Sequence, residues 1–126
     1  MSIIGRNDDS LARARSAIEV NVAAFVDRGL TSEDEAATLL DRITTGTDYN
    51  AAGKEDFVIE AVPAQRDLQI EVFGRLDTIC DADIVVASTS GQPISLMVNR
   101  ISYPERAVAM HFVYPAQLMP LVEVCG

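Results

Sequence analysis

Three short apolar runs constrain this chain more than any other feature. Phe57-Val58-Ile59-Glu60-Ala61-Val62, Ile84-Val85-Val86-Ala87 and Ala107 to Phe112 are each nearly continuous in apolar residues and bounded by breaks in pattern. Runs of that length read as strands, and strands apolar at successive positions belong to parallel sheets covered by helices. Between the first two runs, after Pro63, Leu68, Val72, Phe73, Leu76 and Ile79 fall on one face of a helix. Ile94 to Arg100 forms a short helix with Pro93 at its first turn, and Leu121 to Cys125 forms a last strand.

The first third of the chain adds a helical pair. Residues 2–5 read as a short strand, and Asn7-Asp8-Asp9-Ser10 offers N-cap residues. Leu11, Ala14, Ile18, Val22 and Phe25 then recur at helical spacing, and the helix ends near Arg28 with Gly29 as its stop. Ser32-Glu33-Asp34-Glu35 is a capping box, and Ala36, Leu39, Leu40 and Ile43 form the buried side of a second helix. The short link predicts an antiparallel helical hairpin. Thr44 to Asp48 is β-prone, and residues 49–55 read as a loop or an irregular turn. Strands alternating with helices predict an α/β fold with a mostly parallel sheet and right-handed connections.

Composition narrows the function. With 48% hydrophobic and 23% charged residues in 126, the expectation is one globular domain. The longest apolar run, Val22 to Val26, has five residues. A spanning helix needs about 18–20, so no membrane partner is expected. The N-terminus carries no basic-then-apolar leader, and a cytoplasmic location follows as an expectation. Ten basic against nineteen acidic residues give a net charge of −9 with no basic run, which argues against nucleic acid. Cys80, Cys125 and a single histidine provide no zinc spacing, and both thiols are expected buried and reduced.

In open α/β sheets ligands sit at the carboxyl ends of strands. Three segments qualify: Glu60-Ala61-Val62-Pro63, Ser88-Thr89-Ser90-Gly91 and His111 to Pro115. His111 has the side chain suited to proton transfer near neutral pH. Glu123 stands in Leu121-Val122-Glu123-Val124, where a carboxylate among apolar neighbours needs a partner, and a His–Glu pair would provide one. Ser90 would offer its hydroxyl to a substrate oxygen. Each residue also has a plain structural reading: His111 as a strand-end residue, Glu123 alternating outward from an edge strand, Ser90 as a turn former.

At these residues the sequence resembles the NAD-binding domain of the 3-hydroxyacyl-CoA dehydrogenase family. The matching stretches are Asp56 to Val62, Ala87-Ser88-Thr89-Ser90, Pro104-Glu105-Arg106 with Met110-His111-Phe112, and Met119 to Val124; with the helical hairpin and the Gly46-Thr47-Asp48 turn they cover essentially the whole chain. The resemblance implies a Rossmann-like three-layer domain, with helices on both faces of a mostly parallel sheet and a helical hairpin after the first strand. It implies an oxidoreductase passing hydride between NAD or NADP and a 3-hydroxyacyl thioester. His111 would be the general acid/base, Glu123 its partner, and Ser90 a contact to the substrate oxygen. Glu60, Ala61 and Val62 would lie beside the nicotinamide ribose with Ser88 near them.

The departures are specific. The family's Asn-Thr-Ser-Ser is here Ser88-Thr89-Ser90-Gly91, and its His-Phe-Phe-Asn-Pro is His111-Phe112-Val113-Tyr114-Pro115. A glutamate is usual at Ala64, and a lysine is common near Gln69. These changes point to small hydroxy or aldehyde compounds as the alternative to a CoA ester. The family opens with a strand and a G-x-G-x-x-G turn that cradles the pyrophosphate, whereas this chain begins at the family's second strand. There Gly5-Arg6 takes the place of the acidic residue for the ribose, which favours a 2′-phosphate; drift in a chain that no longer binds the cofactor is the other reading. The chain also stops right after the glutamate strand, before the family's helical C-terminal domain. Residues 1–126 are thus expected to be a partial dinucleotide-binding domain. The alternative to an active enzyme is a truncated, inactive domain serving as an oligomerisation or partner-binding module, pairing with copies of itself through exposed strand edges.

Overall fold

A computed structural model describes residues 1–99 and 101–126. The expected extension of the short helix to Arg100 lies, at that residue, outside the described residues. The chain divides into two compact units, Met1–Tyr49 and Asn50–Gly126.

The first unit is built from β1 (Ser2–Ile4), α1 (Asp8–Asp27), α2 (Glu33–Asp41) and β2 (Thr44–Gly46). β1 and β2 pair in parallel, Ser2 against Thr44 and Ile4 against Gly46. Local chemistry sets each helix end. The Asn7 side chain accepts the Ser10 N–H at 2.9 Å, and Asp8 and Asp9 complement the positive end of the α1 dipole. At the far end Gly29 has φ +66°, its N–H donates to the Val26 carbonyl and that of Leu30 to the Phe25 carbonyl, both at 2.9 Å. This left-handed cap strongly favours glycine. Ser32 and Glu35 exchange hydrogen bonds at the start of α2 as the sequence predicts, and the Ser32 donors hold the Glu35 carboxyl below the ordinary carboxylate range. Leu11, Ala36 and Ile43 are buried and Leu40 half-buried, but Leu39, expected inside, is 47% exposed. The nine-residue helix covers only a narrow line through Ala36 and Leu40, Ile43 lies past its end, and Leu39 falls on its flank.

The second unit holds β3 (Phe57–Glu60), α3 (Arg66–Ile79), β4 (Val85–Ser88), α4 (Ser95–Val98), β5 (Ala107–Phe112) and β6 (Val122–Cys125). The strands form one sheet in the order β3-β4-β5-β6. The first two pairings are parallel and the β5–β6 pairing antiparallel. α3 buries Gln69, Val72, Phe73 and Leu76. The segment read as a loop or an irregular turn is a 3-10 helix, Tyr49–Lys54. Ala52 is buried there, and a Cβ on Gly53 would lie 2.6 Å from the Ile79 carbonyl oxygen, so the turn rests on the end of α3 only because residue 53 is glycine.

Two other expectations are corrected. The first apolar run does not have both faces covered: Phe57 and Ile59 are 44% and 46% exposed, because β3 is the sheet's edge and half of its side chains point away from α3. The two cysteines also differ. Cys80 is buried and Cys125, on edge strand β6, is exposed. Burial pushes the Cys80 thiol up, against the weaker pull of the Arg106 guanidinium. A thiol reagent should therefore titrate one cysteine quickly in the native protein and the second only in denaturant; two fast thiols would show that the α3 end is open.

Arg106 ties this unit together. Its guanidinium pairs with Asp77 at 3.0 Å and donates to the carbonyls of Cys80, at 3.1 Å, and Asp81. It also lies 5.7 Å from the centre of the Tyr103 ring. A cation at the C-terminal end of α3 meets the helix's last carbonyls, where the dipole favours it.

Candidate functional site at the strand ends of the second unit

Strand register decides which side chains meet. Cα partners across a ladder share a face, and side chains alternate along each strand. The pairs Glu60–Ser88, Ser88–Ala109, Ala109–Cys125 and His111–Glu123 therefore put Glu60, Ser88, His111, Glu123 and Cys125 on one face. His111 and Glu123, twelve positions apart in sequence, stand directly opposite each other on adjacent antiparallel strands. Both are exposed, and among the described residues no hydrogen bond joins their side chains. Glu123 thus incurs no burial cost, and what places it with His111 is register. Ser90 lies two residues past the last β4–β5 pair, Ser88–Ala109, the same step that separates His111 from Ala109. It is half-buried, and its hydroxyl accepts the Gln92 N–H at 3.1 Å.

Glu60 and Ser88 behave differently. Glu60 is 3% exposed and Ser88 1%. The Ser88 hydroxyl donates to Glu60 Oε2 at 2.5 Å, the Val62 N–H to Oε1 at 2.6 Å, and the Gln69 amide to Oε2 at 3.5 Å. The Thr89 N–H reaches the Glu60 carbonyl at 3.0 Å, and the Ser90 N–H reaches Ser88 Oγ at 3.2 Å. Both carboxyl oxygens are thus engaged by the protein and buried, whereas Ala61 next to Glu60 is exposed and Val62 half-buried. Gln69, to which sequence reasoning assigned no role, is fully buried, and its Oε1 has no partner among the described residues. The one sequence signal for it is its place one residue after Leu68 and three before Val72, on the rim of the apolar face of α3.

Gly5 and Arg6 belong to the first unit. A Cβ at Gly5 would lie 2.7 Å from Leu11 Cδ2, so the protein's own side chain fills the space above that glycine. Arg6 is exposed, followed by Asp8 and Asp9, and the turn carries a net negative charge. That turn suits a neutral ribose hydroxyl better than a 2′-phosphate. No glycine-rich phosphate cradle stands among the described residues. Among them there is also no cluster of three metal-ligating side chains and no helix long and apolar enough to cross a membrane.

Known proteins share this fold. The family described as "3-hydroxyacyl-CoA dehydrogenase, NAD binding domain" matches residues 1–126. A probable 3-hydroxybutyryl-CoA dehydrogenase of Bacillus subtilis is 30% identical over 119 residues, which are 94% of this chain and 42% of that protein. A peroxisomal fatty acid beta-oxidation multifunctional protein of Arabidopsis thaliana is also 30% identical, over 94% of this chain and 16% of its own. The crystal structure of a 3-hydroxybutyryl-CoA dehydrogenase from Escherichia coli superposes with a TM-score of 0.92 at 27% identity, covering 98% of this chain and 26% of that one. The chain spans less than half the length of each of these relatives. The match runs through every strand that carries a candidate site residue, and the chain accordingly belongs to the 3-hydroxyacyl-CoA dehydrogenase family, as an NAD-binding domain with a Rossmann-like fold.

Proposed function

We propose that this domain takes part in hydride transfer between NAD and the hydroxyl-bearing carbon of a 3-hydroxyacyl thioester or a related small hydroxy compound. The observation that carries the proposal is the cross-strand pairing of His111 with Glu123, with Ser90 two residues past the end of β4. The chemistry supplied by bound NAD is uptake or return of a hydride. In the oxidative direction His111 accepts the hydroxyl proton as the carbonyl forms, and in the reverse direction it returns that proton to the carbonyl oxygen. Glu123 stabilises the imidazolium that results and fixes the ring's orientation. The Ser90 O–H points a hydrogen bond at the same oxygen, its lone pair already taken by Gln92. Exposed Ala61 and half-buried Val62 line the nicotinamide side. The test is oxidation of NADH by the purified protein in the presence of a short 3-oxoacyl-CoA. Turnover that requires NADH is the expected result, and absence of both turnover and NADH binding by calorimetry would sink the proposal.

A second reading has its own support. Both edge strands expose apolar side chains: Phe57 and Ile59 on β3, Val124 on β6, with Leu121 just before it. Such edges favour pairing with another copy. Sedimentation at rising concentration should show self-association; a monomer throughout rejects it.

A further inference from the structure

We propose that Glu60 and Ser88 are positioning residues, a buried hydrogen-bond relay that holds Ser90 in place through its backbone N–H. The proposal deepens the reading of the site given above and rests on it. The relay begins on α3, where the Gln69 amide donates to Glu60 Oε2, and on the chain just after β3, where the Val62 N–H donates to Oε1. It passes to β4 through the Ser88 hydroxyl, which donates its single proton to Glu60 Oε2. A hydroxyl committed as donor keeps lone pairs free to accept, and the Ser90 N–H takes one at 3.2 Å. Direction matters here: without Glu60 as acceptor, the Ser88 rotor would be free to turn away from the Ser90 N–H.

The chemistry of burial makes the relay stiff. Glu60, Gln69 and Ser88 are each at most 3% exposed, so water does not substitute for a lost partner. The Thr89 N–H bond to the Glu60 carbonyl binds the same two strand ends a second time. Ser90 itself stands outside the ladder, and the Ser88 oxygen is the contact through which the buried cluster reaches it. The relay therefore governs where the Ser90 hydroxyl sits, while neither Glu60 nor Ser88 need touch the reacting atoms.

The experiment pairs Ser88→Ala with Ser90→Ala in the whole protein. Amide hydrogen exchange at Ser90 should quicken at least about tenfold in Ser88→Ala, the size expected for one hydrogen bond, while the amides of the β3–β4 ladder keep their protection. Turnover with NADH and a short 3-oxoacyl-CoA should fall about tenfold in Ser88→Ala and not fall further when Ser88→Ala is added to Ser90→Ala. Ser88→Thr, which keeps the hydroxyl, should restore both readouts. Unchanged exchange at Ser90, or an equal loss of turnover in the Ser90→Ala background, overturns the relay. If the parent protein shows neither turnover nor NADH binding, the reading of the site fails, and the exchange measurement still decides whether Ser88 holds Ser90.

Discussion

His111→Gln should lower turnover by 10²–10⁴-fold, about 3–5 kcal/mol in the barrier, while leaving stability nearly unchanged. Glutamine keeps a hydrogen-bonding group of similar size but cannot gain or lose a proton in the working range. The side chain it replaces is exposed, and surface substitutions away from caps and buried networks usually stay within about 0.5 kcal/mol. A large kinetic effect with a small stability effect is what separates an acid/base residue from a strand-end residue. Glu123→Gln should act in the same direction but less, since the imidazole ring loses the neighbour that orients it. Steady-state kinetics across pH measure both. Turnover of His111→Gln within tenfold of the parent would remove His111 from the proposed chemistry.

The second large effect is on stability. Arg106→Met should destabilise the protein by about 3–5 kcal/mol, a large part of the 5–15 kcal/mol typical of a domain. The substitution retains an apolar stem but leaves Asp77, whose side chain is 9% exposed, without its cation, and removes the donor shared by the Cys80 and Asp81 carbonyls. The Asp77 effect has a pH signature. Burial works against its charged form, yet hydrogen bonds from Ser102 and the Arg106 guanidinium hold its carboxyl below the ordinary range. A depressed carboxyl stabilises the fold above its unfolded pKa, about 3.9, and that contribution is lost as pH falls through the folded value. Urea midpoints measured from pH 6 downward should therefore fall below about pH 4, and fall less steeply in Arg106→Met. Adding Asp77→Asn to Arg106→Met should recover part of the loss, because the uncompensated buried charge is gone. A loss under 1 kcal/mol for Arg106→Met alone would show the pair to be no more than a surface contact.

Much of the fold was legible because it depends on local chemistry. The Ser32–Glu35 capping box, the Gly29 stop of α1 and β5 at Ala107–Phe112 were all readable from residue type and spacing. Leu39 and Phe57 were misread for one shared reason. An apolar residue in a periodic pattern is assigned to a core, but which flank of a helix or sheet is covered depends on elements distant in sequence. The same holds for Cys125, whose exposure follows from β6 being an edge. The 3-10 turn at Tyr49–Lys54 was legible only as a loop or an irregular turn, because its helical form goes with the packing of Ala52 and Gly53 rather than with any strong propensity of its own.

The site divides along a similar line. The sequence alone determined its chemistry: one histidine, a carboxylate in an apolar strand, a hydroxyl-rich turn after a buried strand, and the family whose motifs these are. Residue type carries pKa range and hydrogen-bonding capacity wherever the residue ends up. Only the tertiary structure decided which side chains lie beside one another and which are buried. Strand register brought His111 opposite Glu123, and burial turned Glu60 and Ser88 inward upon each other and drew in Gln69. Register and burial are properties of paired and packed segments, set by backbone hydrogen bonds and excluded water between residues far apart in the chain, and no local pattern encodes them.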